Sequence, residues 1–260
     1  MEGIEVSTNY TKLINNLDAL KLYEFRNRLD EYISYINDKH ITLIDSLYEL
    51  TEYELEYKQQ KTISTRIRFA GFPFYKTIED FDFSYQPTLN KEKILDLVSL
   101  RFIENKENIL FVGTPGVGKT HLATSIGIEA AKNNLLTYFI NCNDLIGQLK
   151  KAHKENRLSD KLKALCKYKL LIIDEVGFLP LDEEASHLLF QLISKRYEKT
   201  STIITTNKAL STWGEIFGDN VLANAILDRL IHHSHVVTIN GRSYRTKDQI
   251  NSLDGKKTPA

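Results

Sequence analysis

Cysteine is scarce in this chain. Cys142 and Cys166 are its two cysteines in 260 residues. They form neither a disulfide framework nor a metal-binding spacing, and a reduced pair suits the cytoplasm. Long apolar runs are missing too. No stretch of about 20 apolar residues occurs, which excludes a membrane-spanning helix. The polar, acidic N-terminus has no apolar signal-peptide core, so the expected location is cytoplasmic. Excess charge of either sign is also absent: 34 basic residues balance 34 acidic ones. Any nucleic-acid binding must therefore come from local patches. No internal repeat or low-complexity segment stands out.

What is present is enough for a sizeable core. At 260 residues and 42% hydrophobic, the chain can hold one large domain or two small ones. Its most informative stretch is Gly113-Thr114-Pro115-Gly116-Val117-Gly118-Lys119-Thr120, which fits the phosphate-binding P-loop pattern. Gly116 and Gly118 permit backbone turns closed to other residues. Lys119 can reach the β- and γ-phosphates of ATP, and the Thr120 hydroxyl can hold Mg²⁺. Asn108 to Val112 reads as a buried strand before the loop. His121 to Lys132 reads as a helix whose N-terminal dipole faces the phosphates.

A second apolar run, Lys169 to Ile173, ends in Asp174-Glu175. A parallel strand covered on both faces reads this way, and ligands bind at the carboxyl ends of such strands. Asp174 is then placed to hold Mg²⁺ with Thr120. Glu175 can take the proton of an attacking water. Asn207, after the strand 201–206, can orient that water, although an Asn that starts a turn reads the same way. Arg229, next to Asp228 near a helix end, is either a surface salt bridge or an arginine supplied to a neighbouring subunit. Arg245 lies beyond the last strand.

The order of elements is strand 108–112, helix, strand 136–141, two helices within 143–166, strand 168–174, helix 185–199, strand 201–206, helix 221–233 and strand 235–240. A helix over 90–103 precedes them. This alternation predicts an α/β fold with a parallel five-stranded sheet and helices on both faces. A helical N-terminal domain over 1–70 comes first. The connector and first core helix occupy 71–107, the ATPase core 108–248, and a flexible tail 249–260. In the N-terminal domain Leu17, Leu20, Leu22, Tyr23 and Phe25 form one apolar set. Ile41, Ile44, Leu47, Tyr48 and Leu55 form another at helical spacing. The aromatic connector, with Phe72, Phe74, Phe81 and Phe83, either packs on the core or lines the adenine site.

Basic residues cluster locally. Lys58, Lys61, Arg66 and Arg68 occur without an acid between them. Lys150, Lys151, Lys154, Arg157, Lys161, Lys163 and Lys167 face only Glu155 and Asp160. Such runs are ordinarily solvated helix faces. The position of the second, between strands two and three on the ligand side of the sheet, favours a DNA contact.

Several segments together resemble a known family. Leu170 to Glu175, Thr205-Thr206-Asn207, Trp213 to Asp219, and Ile226 to His233 are similar to the IstB-like AAA+ ATPases that help transposition of bacterial insertion sequences. Thr77 to Phe83 and Ser243-Tyr244-Arg245 match as well. The P-loop alone is shared by very many NTPases; the Trp213–Asp219 and Asp228–His233 segments are more specific. The bacterial replicative-helicase loaders are a sister group.

The resemblance implies that ATP is bound by Gly113 to Thr120 with His121 and Arg245, and Mg²⁺ by Thr120 and Asp174. It implies Lys119, Glu175, Asn207 and Arg229 as the hydrolytic set, with Arg229 as an arginine finger. It further implies double-stranded DNA held by Lys150, Lys151, Lys154, Arg157, Lys161 and Lys163. ATP- and DNA-dependent homo-oligomers, a partner transposase and nucleoid association follow by similarity. The N-terminal domain would serve oligomerisation or partner contact. About 20 residues follow the last strand, too few for the helical lid of most AAA+ proteins, so enclosure of the nucleotide is expected to depend on a neighbour. Helicase loading is the alternative biology, and a non-hydrolysing ATP-sensing DNA adaptor the alternative chemistry. A small-molecule kinase would need a substrate pocket and mobile lid, for which no segment is found.

Overall fold

The computed structural model describes residues 8–38 and 40–246. The tail assigned to 249–260 lies outside the described residues. Two compact units divide between Thr65 and Arg66, inside one long helix.

The first unit contains helices α1 (Thr8–Ala19), α2 (Tyr23–Asn37) and most of α3 (Leu43–Phe69). Leu17, Leu29, Tyr32 and Leu50 make its small core. α2 begins after Leu22, which has no capping side chain. A buried acid from α3 does that work instead. Glu54 Oε2 accepts the Glu24 and Phe25 backbone N–H groups at 2.7 and 3.2 Å, satisfying donors left open by the first turn. The apolar set expected to pack from α3 does not. Ile44, Leu47, Tyr48 and Leu55 are exposed, while Ser46, Leu50 and Glu54 point inward. Leu20 and Tyr23 are exposed as well. Helical spacing marks a stripe but not which stripe is covered.

The second unit is built on five parallel strands: β1 (Asn108–Gly113), β2 (Thr137–Asn141), β3 (Leu170–Val176), β4 (Ser201–Thr206) and β5 (Ser234–Ile239). Their spatial order is β2-β3-β4-β1-β5, with Ile109 opposite Ile203 and Asn108 opposite Ser234. Alternate residues of each strand enter two cores. Ile109, Phe111, Leu170, Ile172 and Ile203 pack with α4 (Lys91–Val98), α5 (Arg101–Glu104) and α6 (Lys119–Lys132). Leu110, Leu171, Ile173 and Ile204 pack on the other face. That face is covered by α7 (Cys142–Lys154), α8 (Leu158–Cys166), α9 (Glu183–Arg196), α10 (Trp213–Phe217) and α11 (Asn220–Ile231). Apolar burial on both faces explains the unbroken apolar strands.

The helix expected over 90–103 is two helices. Leu100 takes a left-handed backbone, φ 67, between α4 and α5, and its side chain is buried. The Trp213–Asp219 segment also gains a physical reading. Trp213, Ile216 and Phe217 are buried core residues of α10. Gly218 ends the helix at φ 66, and Asp219 caps α11 by accepting from Val221 and Leu222. A fully buried Arg196 ends α9. It donates to the carbonyls of Leu165, Tyr168 and Ser201 and to the Thr202 hydroxyl. Desolvation lowers its pKa to about 10, so it remains a cation at neutral pH.

Candidate functional site

The strand order sets the carboxyl ends of β2, β3, β4 and β1 side by side. Asn141 is opposite Asp174, and Val112 is opposite Thr206. A cavity of about 320 Å³ opens there. Its lining includes the P-loop from Pro115 to Thr120, then His121, Glu175, Thr205, Asn207 and Arg245.

The loop is shaped by what leans on it. Gly116 and Gly118 have φ 82 and 101. A Cβ on Gly116 would strike Ser243, and one on Gly118 would strike the Phe81 ring. These glycines thus make room for the packed Ser243 and Phe81 side chains as well as for the turn. Tyr244 N–H donates to the Gly116 carbonyl at 2.9 Å. Tyr85, Gln86 and Thr88 donate to the carbonyls of Ser243, Arg242 and Asn240. The segment after β5 is therefore laced to both the loop and the connector, and Arg245 is brought to the cavity. The aromatic connector packs on the core, and part of it also borders the cavity. Phe72, Phe81 and Phe83 pack on the core, and Phe74 and Phe81 line the cavity.

Lys119 donates to the carbonyls of Gly113 and Thr114 at 2.7 and 2.8 Å. Burial lowers its pKa, and Asp174 opposes that shift. His121 turns toward the connector: Nε2 lies 2.9 Å from the Thr77 carbonyl, and the ring meets Phe74 and Phe81 edge-on. Burial lowers its pKa as well.

Thr120 Oγ1 donates to Asp174 at 3.0 Å, and Thr205 Oγ1 donates to the same carboxylate at 2.5 Å. Asp174 is buried, and desolvation raises its pKa. A buried carboxylate beside a threonine hydroxyl fits Mg²⁺, which takes oxygen ligands and keeps several waters. The glycine-containing loop, Lys119 and the N-terminus of α6 fit the phosphates of a nucleotide.

Glu175 sits on a break in the ladder. The β3–β4 register shifts between Ile173 and Val176, and Glu175 has φ 61. Such bulges re-aim a side chain, here into the cavity. Two partners absent from the sequence-based set hold it. Its N–H donates to Thr205 Oγ1 at 2.9 Å. Its Oε2 accepts from Asn141 Nδ2 at 2.9 Å. Asn141 also caps α7 by accepting from Asn143 N–H. Both are polar residues at carboxyl strand ends, a signal available in the sequence but shared by many loop residues. Asn207 lines the same cavity, and its Oδ1 is buried with no hydrogen-bond partner among the described residues.

Arg229 is not brought to this cavity. It lies near the end of α11, just before β5, and β5 begins opposite Asn108, the first residue of β1. The P-loop follows the last residue of β1. The two thus lie toward opposite ends of the paired strands β1 and β5. Arg229 stacks on Phe190, 4.8 Å from its centroid, and donates to the Ala225 carbonyl. Among the basic residues expected at DNA, Lys150 pairs with Asp182, Arg157 with Glu155 and Lys163 with Asp160. Lys161 donates to Gln148, and burial lowers its pKa. Lys151 and Lys154 are exposed. Asp182 also caps α9, so its pair with Lys150 ties α7 to the start of that helix.

The family model described as IstB-like ATP binding protein matches residues 15–252. The chain belongs to that family. A relative of this IstB-like protein, named as ATP-binding in insertion sequence IS232 of Bacillus thuringiensis subsp. berliner, is 50% identical over 243 residues, 94% of this chain and 97% of its own. The corresponding protein of IS5376 from Geobacillus stearothermophilus is 45% identical over 88% of this chain and 92% of its own. The crystal structure of the DnaC helicase loader matches with a TM-score of 0.51 and 28% identity, covering 67% of this chain and 98% of that one. AMPPCP-bound DnaA from Aquifex aeolicus shares the fold, with a TM-score of 0.56 at 19% identity over 72% of this chain and 57% of its own. The IstB-like chain is therefore an AAA+ P-loop protein of an ATP-binding family. Among the described residues, no helix is long and apolar enough to cross a membrane.

Proposed function

We propose that this chain is the ATP-hydrolysing helper of an insertion sequence. It assembles as an ATP-dependent oligomer on double-stranded DNA, deforms it, and recruits and activates a partner transposase. The observation that carries the chemistry is the pair of acids on a bulged strand end. Asp174 faces Thr120, and Glu175 is turned into the cavity by its left-handed backbone.

In this reading Lys119 leaves its two loop carbonyls for the β- and γ-phosphates. Thr120 and Asp174 hold Mg²⁺, which neutralises phosphate charge when bound. Glu175 takes a proton from the attacking water as the bond to the γ-phosphoryl group forms and the bond to ADP breaks. Asn207 Oδ1 is an acceptor for the same water. The products are ADP and phosphate. The names of the relatives from IS232 and IS5376 support the insertion-sequence setting. The DnaC likeness supports helicase loading as a second reading.

Lys119→Ala is expected to abolish ATP-dependent DNA binding. Glu175→Gln is expected to bind ATP and DNA but release no phosphate, trapping the DNA-bound oligomer. Filter binding and steady-state phosphate release measure both. Hydrolysis by Glu175→Gln at the parent rate refutes the assigned base, and a parent protein that releases no phosphate even with DNA supports the non-hydrolysing adaptor. Stimulation by the transposase rather than by a replicative helicase separates the two biological readings.

A further inference from the structure

Glu198, His232 and His233 converge in the turns that precede β4 and β5, at the amino ends of the strands. Glu198 Oε1 lies 3.8 Å from His232 Nδ1 and 3.5 Å from His233 Nε2. The imidazole centroids are 4.1 Å apart. All three ligand atoms fall within 4.8 Å of one another. We propose that these side chains form a surface site for a zinc-class divalent cation. Two imidazoles and a carboxylate suit borderline metals such as Zn²⁺, with water completing the shell.

The backbones that carry the ligands are anchored. Glu198 sits at φ 56 in the turn from α9 to β4. Lys199 and Thr200 N–H groups close that turn on the carbonyl of buried Arg196. His232 N–H donates to the Asp228 carbonyl, and the His233 carbonyl accepts from Asn108 at the start of β1. All three ligands lie in turns, and these backbone hydrogen bonds limit the reorganisation that binding requires. The Tyr197 hydroxyl lies 2.7 Å from His232 Nδ1, and the metal takes this nitrogen in its place. A cation here would clasp the α9–β4 turn to the end of α11. Arg229 stacks across the same pair of helices, on Phe190 of α9, so the clasp would steady the segment that carries it.

The test is a calorimetric titration of the tag-free, chelator-stripped full chain with Zn²⁺, without nucleotide. One Zn²⁺ per chain and a melting temperature that rises with Zn²⁺ are expected. His233→Ala and Glu198→Gln should each weaken binding by about tenfold or more, since even residues behind the ligands are worth that much. His153→Ala, in a separate pair with Glu184, should bind as the parent does. Melting of each metal-free variant verifies that it folds. No saturable binding by the parent would leave only surface ion pairs and overturn the site. So would unchanged affinity in folded His233→Ala and Glu198→Gln.

Discussion

At the scale of single residues, the site turns on how one carboxylate is held. Glu175 accepts from Asn141, and its backbone is pinned by Thr205. Asn141 also caps α7, which carries Lys150, Lys151 and Lys154. A change at the basic helix can therefore reach Glu175 through one amide. Asn141→Ser keeps a good N-cap but removes the N–H donor. If the amide restrains Glu175 until DNA binds, the DNA-free ATPase rate of this variant should rise by about tenfold, the value of one charged hydrogen bond at its lower end. Stimulation by DNA should shrink in proportion. Phosphate release with and without duplex measures the ratio, and an unchanged ratio removes Asn141 from the coupling. The acids themselves were legible because a buried strand reads as an apolar run. Asn141 and Thr205 were not, because each comes from a neighbouring strand about 30 residues away and its role exists only once the strands pair.

At the scale of elements, charge in sequence and charge in space differ. The basic stretch over α7 and α8 reads as one patch, but its members are not equivalent. Lys150, Arg157 and Lys163 have acidic partners, and Lys161 is partly buried against Gln148. Lys151 and Lys154 are exposed, and among the described residues neither makes an ion pair. On the proposed function, Lys151→Ala and Lys154→Ala should each lower the log–log salt slope of DNA binding by roughly 0.9. The loss should be equal for all duplexes, because phosphate contacts carry no sequence information. Lys161→Ala should leave the slope unchanged. Fluorescence anisotropy across a salt series reads it, and a Lys161 effect equal to that of Lys154 would refute the ranking. Helix α3 teaches the same lesson with apolar residues. Its stripe at Ile44, Leu47, Tyr48 and Leu55 was visible, but the face turned inward carries Leu50 and Glu54.

At the scale of the whole molecule, Arg229 and the P-loop lie toward opposite ends of the strands of one sheet. An arginine there cannot serve its own nucleotide, so on the proposed function it serves a neighbour's. Arginine fingers in trans are worth about 10³–10⁵ in rate in well-studied GTPases. Arg229→Ala should bind ATP and hydrolyse it poorly. Mixed with Lys119→Ala subunits, it should regain part of the activity, because some interfaces then join an intact P-loop to an intact arginine. Specific activity of the parent should rise with protein concentration. Full activity from a chain that stays monomeric with ATP and DNA, checked by light scattering, would exclude the shared site.

The sequence alone determined the strand–loop–helix order, the parallel sheet, the P-loop and the acid pair after the second apolar run. Those features are local: glycine freedom, strand burial and residue spacing act within a few positions. Tertiary structure decided the rest. It broke the helix over 90–103 at Leu100, chose which face of α3 to cover, and turned Glu175 through a bulge set by its β4 neighbour. It set Asn141 on Glu175, brought Thr205 and the Tyr244-Arg245 segment to the cavity beside the P-loop, sent Arg229 toward the other end of the strands, and gathered Glu198 with the two histidines. Each depends on strand order and on backbone hydrogen bonds between distant segments, which no local pattern encodes.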